Sequence, residues 1–132
     1  MFVRTVLVVV ALSAALGASV RERPAAAAEA CALGGKYFAR SAQPYSAHED
    51  YGYTSVTEFR GADVFVPAQP GLTQEWLQRV LTYQVAAGEC DFGARDPKVT
   101  VLSSGGGFSV RITGGDEKAA GEILRHAQQL VR

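Results

Sequence analysis

Side chains that carry catalytic and redox chemistry are scarce in this chain. Its 132 residues include two histidines and two cysteines, and the cysteines do not form a CxxC pair. Without that spacing, neither a thioredoxin-type redox pair nor a zinc ribbon is expected. No serine lies in a GxSxG motif, the turn on which α/β-type serine hydrolases expose their nucleophile. These absences favour a protein that is not an enzyme.

Charge of one sign is not in excess, and long hydrophobic runs are scarce. Lys and Arg number 13, Asp and Glu number 13, and three of the arginines lie within residues 1–23. Because no basic cluster remains to neutralise phosphate groups, we do not expect nucleic acid as a partner. The chain has no second hydrophobic run after the N-terminal one. One domain without a membrane span is therefore expected once the leader is removed.

The N-terminus has the layout of a secretory signal peptide. Arg4 gives a positive start, and residues 6–16 form a run of apolar and small residues. A membrane anchor needs about 20 apolar residues, whereas charged residues at 21–23 end this run early. We expect residues 1–28 to be signal peptide and leader tail, cleaved after Gly17 or near Ala27 or Ala28. The mature protein would then be periplasmic or secreted.

The two cysteines, Cys31 and Cys90, both lie beyond the expected cleavage sites. An isolated pair in an oxidising compartment usually forms a disulfide. Such a bridge would close a loop of roughly 60 residues, for which chain entropy gives about 4 kcal/mol as an upper value. We predict a Cys31–Cys90 disulfide that ties the N-terminal segment to the end of the first helix. Two free thiols or a metal-binding pair are the alternatives.

Residues 55–132 alternate between strand and helix patterns. β-forming residues run from 55 to 66, are interrupted at Gly61 and stop at Pro67. Helical spacing follows Thr73 and places Trp76 and Tyr83 on or near the inner face, where we expect them to pack in the core. Two alternating stretches joined by the glycine-rich residues 103–107 predict a hairpin, since a phosphate-binding loop would need a helix after it. A second helix begins at Asp116.

The element order β-α-β-β-α predicts an α+β domain built as a two-layer sandwich. Each helix has one apolar stripe, so both need the same sheet face to cover. A right-handed crossover through the first helix makes the first strand parallel to one strand of the hairpin. The topology resembles a truncated ferredoxin-like fold without its last strand, a fold that hosts many functions.

The stretch YSAHEDYGY, residues 45–53, concentrates the chemistry of the aromatic-containing N-terminal segment 29–54. Tyr45, Tyr51 and Tyr53 can stack on a ligand or partner, because tyrosine offers an apolar face and a polar edge. Together with His48 they form the candidate contact surface, in what we expect to be a loop beside the uncovered sheet face. Packing over a sheet edge or over that open face is the alternative interpretation.

The same stretch permits a metal site. His48, Glu49 and Asp50 offer an imidazole and two carboxylates to a divalent ion. One histidine with adjacent residues makes a weak donor set, so this interpretation is second. The sequence thus predicts an exported, non-enzymatic binding or accessory domain without a cofactor, whose partner is an unidentified small molecule or protein. A periplasmic metal-binding protein is the alternative.

Export makes a direct prediction about the mature protein. Mass spectrometry of the native protein should give an N-terminus between Ala18 and Cys31, because signal peptidase removes the leader. A cytoplasmic protein with intact Met1 would contradict both the compartment and the reason for expecting the disulfide.

Overall fold

A computed structural model describes residues 31–35, 37 and 39–131 of the chain. The expected signal peptide, residues 1–28, lies outside the described residues. The described elements are β1 (Ser41–Asp50), β2 (Ser55–Pro67), α1 (Gln74–Ala86), β3 (Lys98–Ser104), β4 (Gly107–Thr113) and α2 (Glu117–Leu130). Neither α1 nor α2 has the length and apolar character needed to cross a membrane.

The strands form one sheet in the order β1-β2-β4-β3, with every neighbouring pair antiparallel. Since β2 and β3 are both antiparallel to β4, they run parallel to each other with β4 between them. The predicted α+β class is confirmed, as a four-stranded antiparallel sheet with two helices. The predicted order omitted the first strand, β1.

β1 corrects the expectation that residues 45–53 form a loop. Most of this stretch is strand, and the turn between β1 and β2 closes where the Tyr51 N–H donates to the Thr54 carbonyl at 2.8 Å. Gly52 has a φ of +89°, and its N–H donates to the Asp50 side chain at 3.0 Å. The sequence did not predict β1 because all of its side chains are at least partly exposed, so its sequence lacks an apolar alternation.

The helices pack on one face of the sheet, and their buried side chains join those of the strands in a single core. Helix α2 packs mainly on β2, while α1 packs on β3. The small side chains Ala120 and Ala127 are fully buried, as expected for a helix that lies close to its sheet. The fully buried core residues of the sheet and helices are Ala62, Val64, Val66, Leu77, Leu81, Val101, Val110, Ile112, Ala120, Ile123 and Ala127.

Side-chain caps begin both helices at the predicted positions. The Thr73 hydroxyl accepts a hydrogen bond from the Trp76 N–H at 3.2 Å. The Asp116 carboxylate accepts one from the Ala119 N–H at 2.7 Å. Each cap satisfies a backbone donor that has no partner within the first turn of its helix.

The expectation that Trp76 and Tyr83 pack in the core is wrong. Trp76 is 48% exposed and Tyr83 is 69% exposed. Helix α1 lies over the edge strand β3, so it fully buries only Leu77 and Leu81 and leaves the side that carries Trp76 and Tyr83 in solvent. Trp76 instead donates from its indole nitrogen to the buried Tyr37 hydroxyl at 3.0 Å.

Two glutamines of α1 cover the outer edge of β3. The Gln78 amide donates to the Val99 carbonyl at 2.8 Å and accepts from the Val101 N–H at 2.7 Å. Gln74 donates to the Val101 carbonyl at 2.8 Å. These amides take the place of a neighbouring strand, which protects an edge that could otherwise pair with another chain.

The predicted disulfide between Cys31 and Cys90 is present, with the Cα atoms 4.8 Å apart. Cys31, Leu33 and Tyr37 all belong to the buried core although no helix or strand includes them. The Ala32 N–H donates to the Gln84 side chain at 2.8 Å, a second link to α1. The bridge therefore holds residues 31–35, 37 and 39, whereas β2 holds residues 45–50 through strand pairing.

Reduction of the disulfide should lower the free energy of unfolding by about 2 to 4 kcal/mol, because the bridge spans 59 positions. In a domain of this size the melting temperature should fall by roughly 8 °C or more. Hydrogen exchange should accelerate first at residues 31–35, 37 and 39, and the double variant Cys31→Ser/Cys90→Ser should reproduce the effect. Labelling of both cysteines in unreduced, unfolded protein would refute the bridge.

Candidate functional site

The sheet face opposite the helices, here called the open face, carries polar and aromatic side chains in rows across the strands. Because successive strand residues point to opposite faces, the residues of the open face alternate in sequence with buried residues such as Val64, Val66 and Val110. Three rows on this face cross all four strands: Tyr45–Gly61–Thr113–Lys98, Gln43–Asp63–Arg111–Thr100 and Ser41–Phe65–Ser109–Leu102. In the described part of the chain, both helices pack on the other side.

Arg111 links two of these rows. Its Nε lies 3.0 Å from Asp63 Oδ1 and its Nη2 lies 3.3 Å from Asp63 Oδ2, a two-point contact that fixes the guanidinium plane. The hydrogen bond to Asp63 raises the pKa of Arg111. The same guanidinium lies 3.8 Å from the centroid of the Tyr45 ring. Tyr45 is thus held on the open face by a cation–π contact.

A β-bulge lies beside Tyr45, between the four-stranded part of the sheet and the part where only β1 and β2 pair. The pairing of β1 with β2 shifts between Tyr45 and Ser46, so Arg60 is left without a partner in the register. Gly61 pairs with Thr113 at this point, and an added Cβ on Gly61 would lie 1.9 Å from the Ile112 carbonyl oxygen. The glycine is required because the β4 backbone occupies the space of a side chain.

A shallow depression of about 540 Å³ opens on this face next to the bulge. Tyr45 and Ala47 of β1 border it, and Lys98 and Thr113 lie across the sheet from them. Its other lining residues are Arg60, Arg95, Asp96, Gly114 and Gly115. Arg60 is paired with Glu58 and donates to the Gly115 carbonyl at 3.4 Å.

Past the bulge, residues 46–58 continue as a two-stranded ribbon, here called the arm. Every residue of the arm is exposed except the half-buried Ala47. Its tip carries Tyr53, 96% exposed, and Tyr51, 58% exposed. Val56 adds an exposed apolar side chain at 41%. The arm therefore presents aromatic surface to solvent beyond the region that the helices cover.

The three residues proposed for a metal have separate partners. His48 Nδ1 lies 3.1 Å from the Thr57 hydroxyl, its neighbour in the strand register. The Glu49 carboxylate accepts a hydrogen bond from the Tyr51 hydroxyl, which raises the pKa of Tyr51. Successive strand residues point to opposite faces, so His48 and Glu49 diverge. Among the described residues, no three His, Cys, Asp or Glu side chains are grouped as metal ligands.

The predicted surface residues divide into two places. Tyr45 belongs to the open face, while His48, Tyr51 and Tyr53 belong to the arm. At about 3.3 Å per strand residue, Tyr45 lies roughly 20 Å from Tyr51. The stretch that looked like one site in sequence thus supplies two separate surfaces.

Sequence reasoning missed the residues that other strands bring to Tyr45. In β2 and β4, Asp63 and Arg111 alternate in sequence with the buried valines, so the alternation predicts that Asp63 and Arg111 face away from the core. Pairing across the sheet, which brings Lys98 and Arg111 into the neighbourhood of Tyr45, has no signal in a single sequence because it depends on register.

No family model, curated protein or solved structure matches the chain.

Substitution of Gly61 tests the bulge beneath the site. Gly61→Ala should lower the free energy of unfolding by roughly 2 to 4 kcal/mol, because the new methyl group collides with the β4 backbone. Gly105→Ala is the matched control, since nothing lies within 4 Å of its added Cβ. Its effect should stay within about 0.5 kcal/mol in urea denaturation. Equal midpoints for the two variants would contradict the close approach at Gly61.

Proposed function

We propose that this chain is an exported, non-enzymatic binding domain that contacts a protein partner through its arm. The observation that carries the proposal is the exposure of Tyr53 (96%) and Tyr51 (58%) at the arm tip. Tyrosine is enriched among the residues that dominate binding energy at protein interfaces. Two such side chains on a protruding ribbon add nothing to the core of this domain, but they suit a partner's pocket.

The shape of the arm supports the same role. A two-stranded ribbon has little stability of its own in water. The exposed tyrosines at the tip of the arm therefore gain little stability from packing within the ribbon. The Gly52 turn and the Asp50 side chain order that tip before a partner arrives. An ordered tip loses less conformational entropy on binding than a mobile loop would.

The compartment is part of the proposal. It is supported by the signal-peptide pattern at residues 1–28 and by the Cys31–Cys90 disulfide, which persists in the periplasm or outside the cell. The balanced charge of the chain favours a protein or small molecule over nucleic acid as partner.

A ferredoxin-like relationship is also proposed for the fold. It is supported by the strand order β2–β4–β3, with α1 connecting β2 to β3 and α2 following β4, which is the arrangement expected without the last strand. In this interpretation β1 takes the outer position beside β2. The fold by itself carries no function, so the binding role depends on the arm.

Site-specific photo-crosslinking in the exporting cells tests the arm. A photoreactive phenylalanine at position 53 should give one discrete protein adduct, because the tip lies in the partner's interface. The same probe at position 83 is the matched control, since Tyr83 is also an exposed tyrosine (69%) but lies on α1. Added wild-type domain should compete for the adduct, and the double variant Tyr51→Ser/Tyr53→Ser should not.

Two results would contradict the proposal. Adducts at position 83 and none at position 53 would place the interface on α1. Tight Zn²⁺ binding that is abolished by His48→Ala would favour the metal-handling alternative.

A further inference from the structure

We infer a second binding site on the open face, for a monosaccharide-sized ligand that carries a carboxylate or phosphate group. The site is the depression between Tyr45 and Lys98, next to the β-bulge. It goes beyond the proposed function, because it includes none of the exposed aromatic residues at the arm tip.

The register of the sheet makes the depression. Tyr45, Gly61, Thr113 and Lys98 lie in one row across the four strands. Strands are spaced by about 4.8 Å, so the two end residues are roughly 14 Å apart. Between them, Thr113 has a short side chain, and the neighbouring Gly114 and Gly115, which also line the depression, have none. A floor of small residues between two long side chains gives room for one sugar ring.

The charge at this place is positive although the chain as a whole is balanced. Arg60, Arg95 and Lys98 line the depression, together with one acidic residue, Asp96. Arg95 and Lys98 form no ion pair with the residues that the structure describes, whereas Arg60 is paired with Glu58. Two cations without a paired carboxylate attract an anionic group, and arginine binds carboxylate or phosphate through two parallel hydrogen bonds.

Neighbouring groups narrow the ligand further. Arg111 is neutralised by Asp63 and covers one face of the Tyr45 ring, so it contributes shape more than charge. The Thr113 hydroxyl on the floor and the Tyr45 hydroxyl at the border can hydrogen-bond to sugar hydroxyls. A small number of cations over a short distance suits one anionic group on a small molecule, and not a polyanion.

Titration of the mature protein with glucuronate and with glucose 6-phosphate, followed by amide NMR shifts, tests the site. At least one of these should give saturable shifts at Lys98, Thr113 and Gly114. It should bind about tenfold or more tightly than neutral glucose, a ratio that corresponds to about 1.4 kcal/mol.

The two probes separate a carboxylate from a phosphate ligand, and inorganic phosphate shows whether the anion alone suffices. Binding should weaken when salt rises from about 50 mM to about 500 mM, because the contact is electrostatic.

Variants assign the effect to the proposed side chains. Arg95→Gln/Lys98→Gln should weaken the favoured probe about tenfold or more. Arg79→Gln is the control, because Arg79 is exposed on α1 and away from the open face. Tyr51→Ser/Tyr53→Ser should bind the probe normally, which separates this inference from the role of the arm. No saturable shifts up to about 10 mM of either probe, or equal binding of glucose, would overturn the site.

Discussion

The burial of one sheet face beneath two helices is the interaction on which the other features depend. Ile123 of α2 and Leu77 of α1 are fully buried against strand residues such as Val64. Each fully buried side chain of this kind contributes about 1.5 to 3 kcal/mol through removal from water. Among the described residues, the two helices cover one face of the sheet and nothing covers the open face. The same residues leave the arm exposed apart from the half-buried Ala47.

The helices do not hold the sheet edges or the N-terminal segment, and other interactions do so. Gln78 closes the outer edge of β3 with side-chain amide bonds. Pro44 lies in β1, the other edge strand, where a residue without an N–H costs least. The disulfide joins residues 31–35, which have no regular secondary structure, to the core through Cys31 and the buried Leu33. A small domain thereby gains stability that its core area alone would not supply.

Exposure and charge divide the solvent-facing surface into two places with different chemistry. The arm offers aromatic side chains that a protein partner would bury, and its strand pairing orders them in advance. The open face offers Lys98 and Arg95 beside a floor of small residues, which suits an anionic group on a small molecule. Tyr45 belongs to the second place, because Arg111 and Asp63 hold its ring against the sheet.

Local patterns in the sequence determined α1, α2, β2 and the β3–β4 hairpin, because Thr73 and Asp116 cap helices with periodic apolar faces and the strands alternate. Cysteine pairing determined the disulfide. The same patterns did not predict β1, because its exposed residues have no apolar alternation. They also placed Trp76 on the buried face of α1, because its spacing in the helix fits that face. Only the tertiary structure decided that α1 lies at the sheet edge, where Trp76 reaches solvent. It alone decided the register that brings Tyr45, Thr113 and Lys98 into one row, since strand pairing between distant segments is a property of the packed sheet.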